Sequence, residues 1–149
     1  MKTAAVNRKR ILFICTGNSC RSQMAEGYVR HLHSDTWEAW SAGTQPRELD
    51  DYAVRAMAEE QVDISRQKPK SFNEIPEIPF DYVMTLCDSA KERCPSWRGK
   101  EINLHFGFDD PAVLSARKND EEKMVVYRRV RDLIRDVITD TLDNLSERE

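Results

Sequence analysis

The sequence predicts an α/β protein: a three-layer α/β/α sandwich around a four-stranded, mostly parallel sheet. Two observations carry that expectation. Its strand candidates are short continuous apolar runs such as Ile11–Ile14, which suit strands buried on both faces better than the alternating pattern of a half-exposed sheet. Strand and helix patterns also alternate along much of the chain, in the order strand, helix, strand, helix, strand, strand, helix.

Arg10–Ile14 reads as the first, central strand. The following helix, Gln23–Leu32, places Ala25, Tyr28, Val29 and Leu32 on one face at spacings of three and four. Trp37–Ala42 is a second strand, ended by Gly43, with a Pro46-containing loop behind it. Leu49–Gln61 reads as a helix with Leu49, Ala53, Ala56 and Met57 inward. The polar stretch to Asn73 carries no assignable pattern. Phe80–Leu86 is a third strand that delivers Cys87 at its carboxyl end. Glu101–Phe106 is a fourth, followed by the loop Gly107–Pro111. From Asp120 to Leu145 runs a long amphipathic helix whose apolar face includes Val126, Val130, Leu133, Ile134, Val137, Ile138, Leu142 and Leu145. No repeat, low-complexity stretch or internal boundary interrupts the chain, so 1–149 is expected to be one domain, with 1–9 frayed.

Composition narrows the function classes. A net charge of −3 and the absence of a long basic run argue against nucleic-acid binding. The opening residues are basic, but the apolar run after them is too short for a signal peptide or a membrane span. A cytoplasmic protein is the expectation, with a monomer as the default. Four cysteines, Cys15, Cys20, Cys87 and Cys94, are too few for a secreted disulfide scaffold and read as reactive, metal-binding or buried thiols. No second close pair of Cys or His completes a zinc site, so no metal and no cofactor are expected.

The chemistry centres on Cys15-Thr16-Gly17-Asn18-Ser19-Cys20-Arg21-Ser22, between the first strand and the first helix. A cysteine, five residues and an arginine at such a junction form a cradle for a tetrahedral oxyanion. The loop amides and the first helical turn can converge on one centre, helped by the partial positive charge of the helix start. Arg21 adds a bidentate fork. Gly17 lets the backbone approach an anion closely. The same field favours a thiolate at Cys15. Ser22 can cap the helix or bond Cys15, whereas Cys20 is expected to turn into packing. Asp110, before Pro111, can act as general acid, and Asp109 reads as an ordinary loop residue. Cys15 and Cys87 both sit at carboxyl ends of strands, where ligands collect in open parallel sheets. Cys87 and Cys94 are seven apart; on a helix they would lie about 10 Å apart. A disulfide needs Cα atoms within about 7 Å, so a bridge would require the segment to unwind. His31 and His33 read as solvated, and the tryptophans as packing.

These motifs, with Gln23–Gly27, Ser41-Ala42-Gly43, Thr85-Leu86-Cys87, Cys94-Pro95 and Gly107–Ala112, resemble the thioredoxin-coupled arsenate reductases, which share the low-molecular-weight protein tyrosine phosphatase fold. The resemblance runs from about Arg10 to the final helix. It implies a phosphatase-like fold and a cascade of three redox-active cysteines. Cys15 attacks arsenate held by Thr16–Ser22, with Asn18 orienting, and Asp110 protonates the departing oxygen. Cys87 then attacks Cys15 and arsenite leaves. Cys94 attacks Cys87 and carries the disulfide to thioredoxin, or to glutathione with glutaredoxin. Phosphate or sulfate would occupy the same cradle.

In some members of this family a potassium ion lies beside the loop, held partly by the equivalents of Asn18, Glu26 and Ser41. The later ligand region here is Arg66–Lys70, and a lysine ammonium paired with Glu26 could take the ion's place. Two other readings stay open on the residues. A phosphotyrosine phosphatase would need only Cys15, Arg21 and Asp110. A thiol sensor or oxyanion-binding module would have no use for the acid.

Overall fold

The computed structural model describes residues 7–87 and 101–147. Four strands, β1 (Lys9–Cys15), β2 (Trp37–Gly43), β3 (Tyr82–Thr85) and β4 (Ile102–His105), form one sheet in the order β2-β1-β3-β4. Every pairing is parallel, so the sheet goes beyond the mostly parallel arrangement expected. In β1, Ile11, Leu12, Phe13 and Ile14 are all wholly buried although successive side chains point to opposite faces. Both faces of the sheet are therefore covered, which is the three-layer arrangement. Each of these side chains stabilises the fold by about 1.5–3 kcal/mol through burial.

Helix α1 (Arg21–Leu32) packs on β1 and β2, and the long helix α4 (Asp120–Glu147) packs against α1 and α2 (Asp51–Ala58). The short helix α3 (Pro111–Leu114) lies beside α4. The apolar face of α4 holds Val126, Val130, Ile134, Ile138, Leu142 and Leu145 inward.

Several boundaries differ from the sequence reading. Helix α2 is shorter than Leu49–Gln61, because the Asp50 side chain accepts the amides of Tyr52 and Ala53 and starts the helix there. The chain leaves the helix in a turn where Gln61 takes a φ of 58°. Leu49 consequently lies outside the helix, half-buried. Strands β3 and β4 are each shorter than expected at both ends. Leu32 and Leu133 are about half exposed, not core: Leu32 is the last residue of α1, and Leu133 sits at the edge of α4's buried stripe. The loop before α4 contains helix α3, which Asp110 starts by accepting the amide of Ala112 while Pro111 occupies the first turn. The unassigned polar stretch holds a 3-10 turn at Phe72–Glu74, closed by a capping box between Ser71 and Glu74.

Candidate active site

The oxyanion loop, residues 15–22, leaves β1 and runs into α1. Its shape is fixed from outside by the loop that follows β2. Thr44 N donates to Cys15 O (3.2 Å), Gln45 N to Thr16 O (2.8 Å), Arg47 N to Gly17 O (2.8 Å) and Asp50 N to Ser19 O (2.9 Å). With four carbonyls held outward, the amides of the loop are free to face the cavity. This ladder had no sequence signal beyond the Pro46 loop itself. Gly43 is needed where the two segments meet: a Cβ there would stand 2.7 Å from Thr16 O and 2.9 Å from Asn18 N.

Asn18 takes a left-handed φ of 48°, a conformation that asparagine tolerates better than most residues. Its side chain is fully buried and bonded on both sides. Asn18 Nδ2 donates to Ser22 Oγ (2.7 Å), and Asn18 Oδ1 accepts from Lys70 N (2.8 Å) and Gln23 Nε2 (3.1 Å). Ser22 Oγ in turn lies 2.8 Å from Cys15 Sγ. Of the two roles open to Ser22, the structure takes the bond to the cysteine, and α1 has no side-chain cap. Asn18 and Ser22 thus form a chain that ends on the sulfur, and with Asn18's amide donating, Ser22's hydroxyl can donate to Cys15.

The cavity over the loop has a volume of about 400 Å³ and is lined by Cys15, Gly17, Arg21, Cys87 and Asp110, among others. Arg21 Nη1 donates to Phe108 O (3.1 Å), and Nη2 lies 3.5 Å from Asp110 Oδ2. The arginine and the aspartate therefore face one space. Cys87 is buried, and its Sγ lies 3.3 Å from Thr16 Oγ1. The strand-end thiol thus opens into the cavity that holds Cys15, and the thiols of Cys15, Cys20 and Cys87 are all unbridged.

Cys20 packs within the hydrophobic core and touches the same cavity. Burial, then the nearby Asp50 carboxylate, pushes its thiol well above the usual range, so it stays protonated. Asp109, read as an ordinary loop residue, also lines the cavity, as does Arg47, which the sequence reading did not single out. Cys94 and Trp97, and with them the segment between Cys87 and Cys94, lie outside the described residues. His31 is exposed, but His33 is half-buried, with Nε2 shielded from solvent.

Behind the loop, Glu26 is nearly fully buried. Ser41 Oγ donates to Glu26 Oε1 (2.5 Å), and Arg30 Nε lies 2.8 Å from Oε2. Lys70 Nζ lies 3.8 Å from Oε1 and donates to Lys68 O (2.9 Å). Burial lowers the Lys70 ammonium's pKa, against the opposing pull of Glu26. Two cations already serve this carboxylate, and the Asn18 oxygen accepts two donors. A potassium ion does not fit this set. Among the described residues, no group of three or more His, Cys, Asp or Glu could hold a metal, and no described helix is long and apolar enough to cross a membrane.

A parallel sheet with a cysteine–arginine oxyanion cradle at the carboxyl end of its central strand defines a cysteine-centred oxyanion site of the doubly wound α/β class. The chain belongs to the low molecular weight phosphotyrosine protein phosphatase family, whose model matches residues 10–149. It is 45% identical over 129 residues to the arsenate reductase of Halalkalibacterium halodurans, covering 87% of this chain and 91% of that one. Among solved structures, it resembles an arsenate reductase in the phosphate-binding state, with a TM-score of 0.77 and 28% identity over 91% of this chain and 98% of that one. The low molecular weight protein tyrosine phosphatase from T. tengcongensis matches with a TM-score of 0.71 and 28% identity, covering 91% and 99% of the two chains.

Proposed function

We propose that this protein, acting as a single domain, reduces arsenate to arsenite through Cys15, Cys87 and Cys94. The observation that carries the reading is the second thiol: Cys87 opens onto the cavity of Cys15, in contact with Thr16. Ester hydrolysis has no use for it. The names of the relatives at 45% identity support the same choice.

Arsenate enters the cradle and competes with Asp110 for Arg21. Ser22 steadies the Cys15 thiolate, which attacks arsenic and forms an S–As bond, while Asp110 gives a proton to the oxygen that leaves as water. The Cys87 thiolate then attacks Cys15 Sγ. The S–As pair passes to arsenic, reducing As(V) to As(III), and a Cys15–Cys87 disulfide replaces the bond as arsenite departs. Cys94 attacks Cys87 and frees Cys15, and an external dithiol, thioredoxin, takes up the Cys87–Cys94 disulfide.

Single turnover with arsenate followed by mass mapping of disulfides tests the reading. A Cys87–Cys94 link is expected in the wild type and a trapped Cys15–Cys87 link in Cys94→Ser. Sustained arsenate reduction by Cys87→Ser with thioredoxin would refute it. Parallel assays with thioredoxin and with glutathione plus glutaredoxin identify the reductant.

Phosphate monoester hydrolysis is the second reading, favoured by one observation: Arg21 and Asp110 face one cavity with Cys15, which suffices for a cysteinyl-phosphate intermediate. Weak phosphatase activity is compatible with the reductase and needs neither Cys87 nor Cys94.

A further inference from the structure

Arg47 lies in the loop between β2 and α2, and its backbone amide is tied to Gly17 O. Its stem lies across Gly17: a Cβ placed on that glycine would meet Arg47 Cδ at 3.2 Å and Cγ at 3.4 Å. With no side chain at position 17 the arginine stem lies close over the oxyanion loop, and Arg47 lines the cavity. Among the described residues no ion pair or hydrogen bond engages its guanidinium, whereas Arg21, the other arginine of the cavity, is committed to Phe108 O and Asp110.

The charges around the cavity give the guanidinium a purpose. Asp109 and Asp110 line it, and Arg21 offsets only one of them. In the state that binds substrate Asp110 carries the proton it gives up, so Arg21 and Asp109 balance and Arg47 is the positive charge in excess at the mouth. Arg47 lines the cavity with a fork of donors that no described carboxylate engages, which adds attraction for a dianion.

We propose that Arg47 is a specificity-determining residue, holding the outward-facing charged oxygen of an unesterified tetrahedral oxyanion. An inorganic dianion presents such an oxygen at the mouth. A phosphate monoester presents an ester oxygen and a carbon substituent there instead, and offers the guanidinium much less. This rests on the oxyanion-cradle reading of the site but not on arsenate reduction.

The test is protection of Cys15 from iodoacetamide, read by peptide mapping of the full chain, with inorganic phosphate and phenyl phosphate as competing ligands. Arg47→Ala is expected to weaken protection by inorganic phosphate about five- to tenfold, the scale of a partly exposed charge-assisted contact. Protection by phenyl phosphate should change less than twofold. Arg47→Lys should recover part of the loss, and the loss should shrink as salt is raised. In turnover, kcat/KM for arsenate should fall by a similar factor. Inorganic phosphate protection within twofold of wild type in Arg47→Ala would overturn the proposal, as would equal losses for both ligands, which would reduce Arg47 to a general field. A protein that fails to reduce arsenate but shows the selective loss would keep this inference and refute the reductase reading.

Discussion

At residue scale, the site depends on small groups whose roles are set by contact. Ser22 touches Cys15 Sγ and is itself held by Asn18. Removing a hydrogen bond to a charged group costs about 1.5–3 kcal/mol, so Ser22→Ala is expected to lower kcat about 10- to 100-fold with little change in thermal stability. Steady-state kinetics beside a melting curve checks both halves. Gly43 is constrained differently. A methyl group there meets backbone oxygen and nitrogen of the oxyanion loop below 3.0 Å, and backbone cannot swing away. Gly43→Ala should therefore distort the cradle and weaken inorganic phosphate binding, as calorimetry would measure; unchanged affinity would show that the loop yields without cost. The cysteine, arginine and serine were legible from their spacing between strand and helix. The Gly43 constraint and the Arg47 stem were not, because both arise from a loop some 25–30 residues away in the chain, whose approach no local pattern encodes.

At the scale of elements, the α2–α4 contact is bound by charge at its rim. Arg128 grips both oxygens of Glu59 through Nε and Nη2, with distances of 2.8–3.1 Å, and Arg131 Nη1 joins Glu59 to Ala56 O, each at 2.8 Å. The Arg128 hydrogen bonds, aided by Arg131, lower the Glu59 carboxyl to about 2. A lowered carboxylate pKa contributes stability that is complete above the unfolded value near 4.3 and fades as pH falls toward 2. Glu59 is more than a third exposed, so solvent screening limits the effect to about 1 kcal/mol, roughly 2–4 °C in Tm. Glu59→Gln should show that deficit at pH 7 and converge on the wild type between pH 4.5 and 2. A deficit that persists at pH 2 would mean that packing, not charge, carries the contact. The elements themselves were readable from hydrophobic spacing. Their ends were not, since Asp50, read within a helix from Leu49, and Asp110, read only as an acid, start helices through side-chain caps.

For the whole molecule, Glu26 is the point where helix α1, strand β2 and the segment after α2 meet. Glu26→Gln would leave Lys70 and Arg30 without their counter-charge, at a cost of about 2 kcal/mol or roughly 4–8 °C in Tm. Because Lys70 already supplies the cation, the wild type should be equally stable and active in KCl and NaCl; a potassium-selective rise in Tm would contradict the fit. The lysine–glutamate pairing was an expectation from the family resemblance, which set Arg66–Lys70 near Glu26, but which lysine reaches the carboxylate was not readable. By itself the sequence determined the layered parallel architecture and the position of the cysteine–arginine loop, because continuous apolar runs and a strand–loop–helix junction are local properties of the chain. Only the tertiary structure decided that Cys87 opens onto the cavity of Cys15, that Asp110 faces Arg21, and that Lys70 and Arg47 flank the loop behind and in front. Those placements depend on strand order and on long-range backbone bonds, which bring together segments that spacing along the chain does not relate.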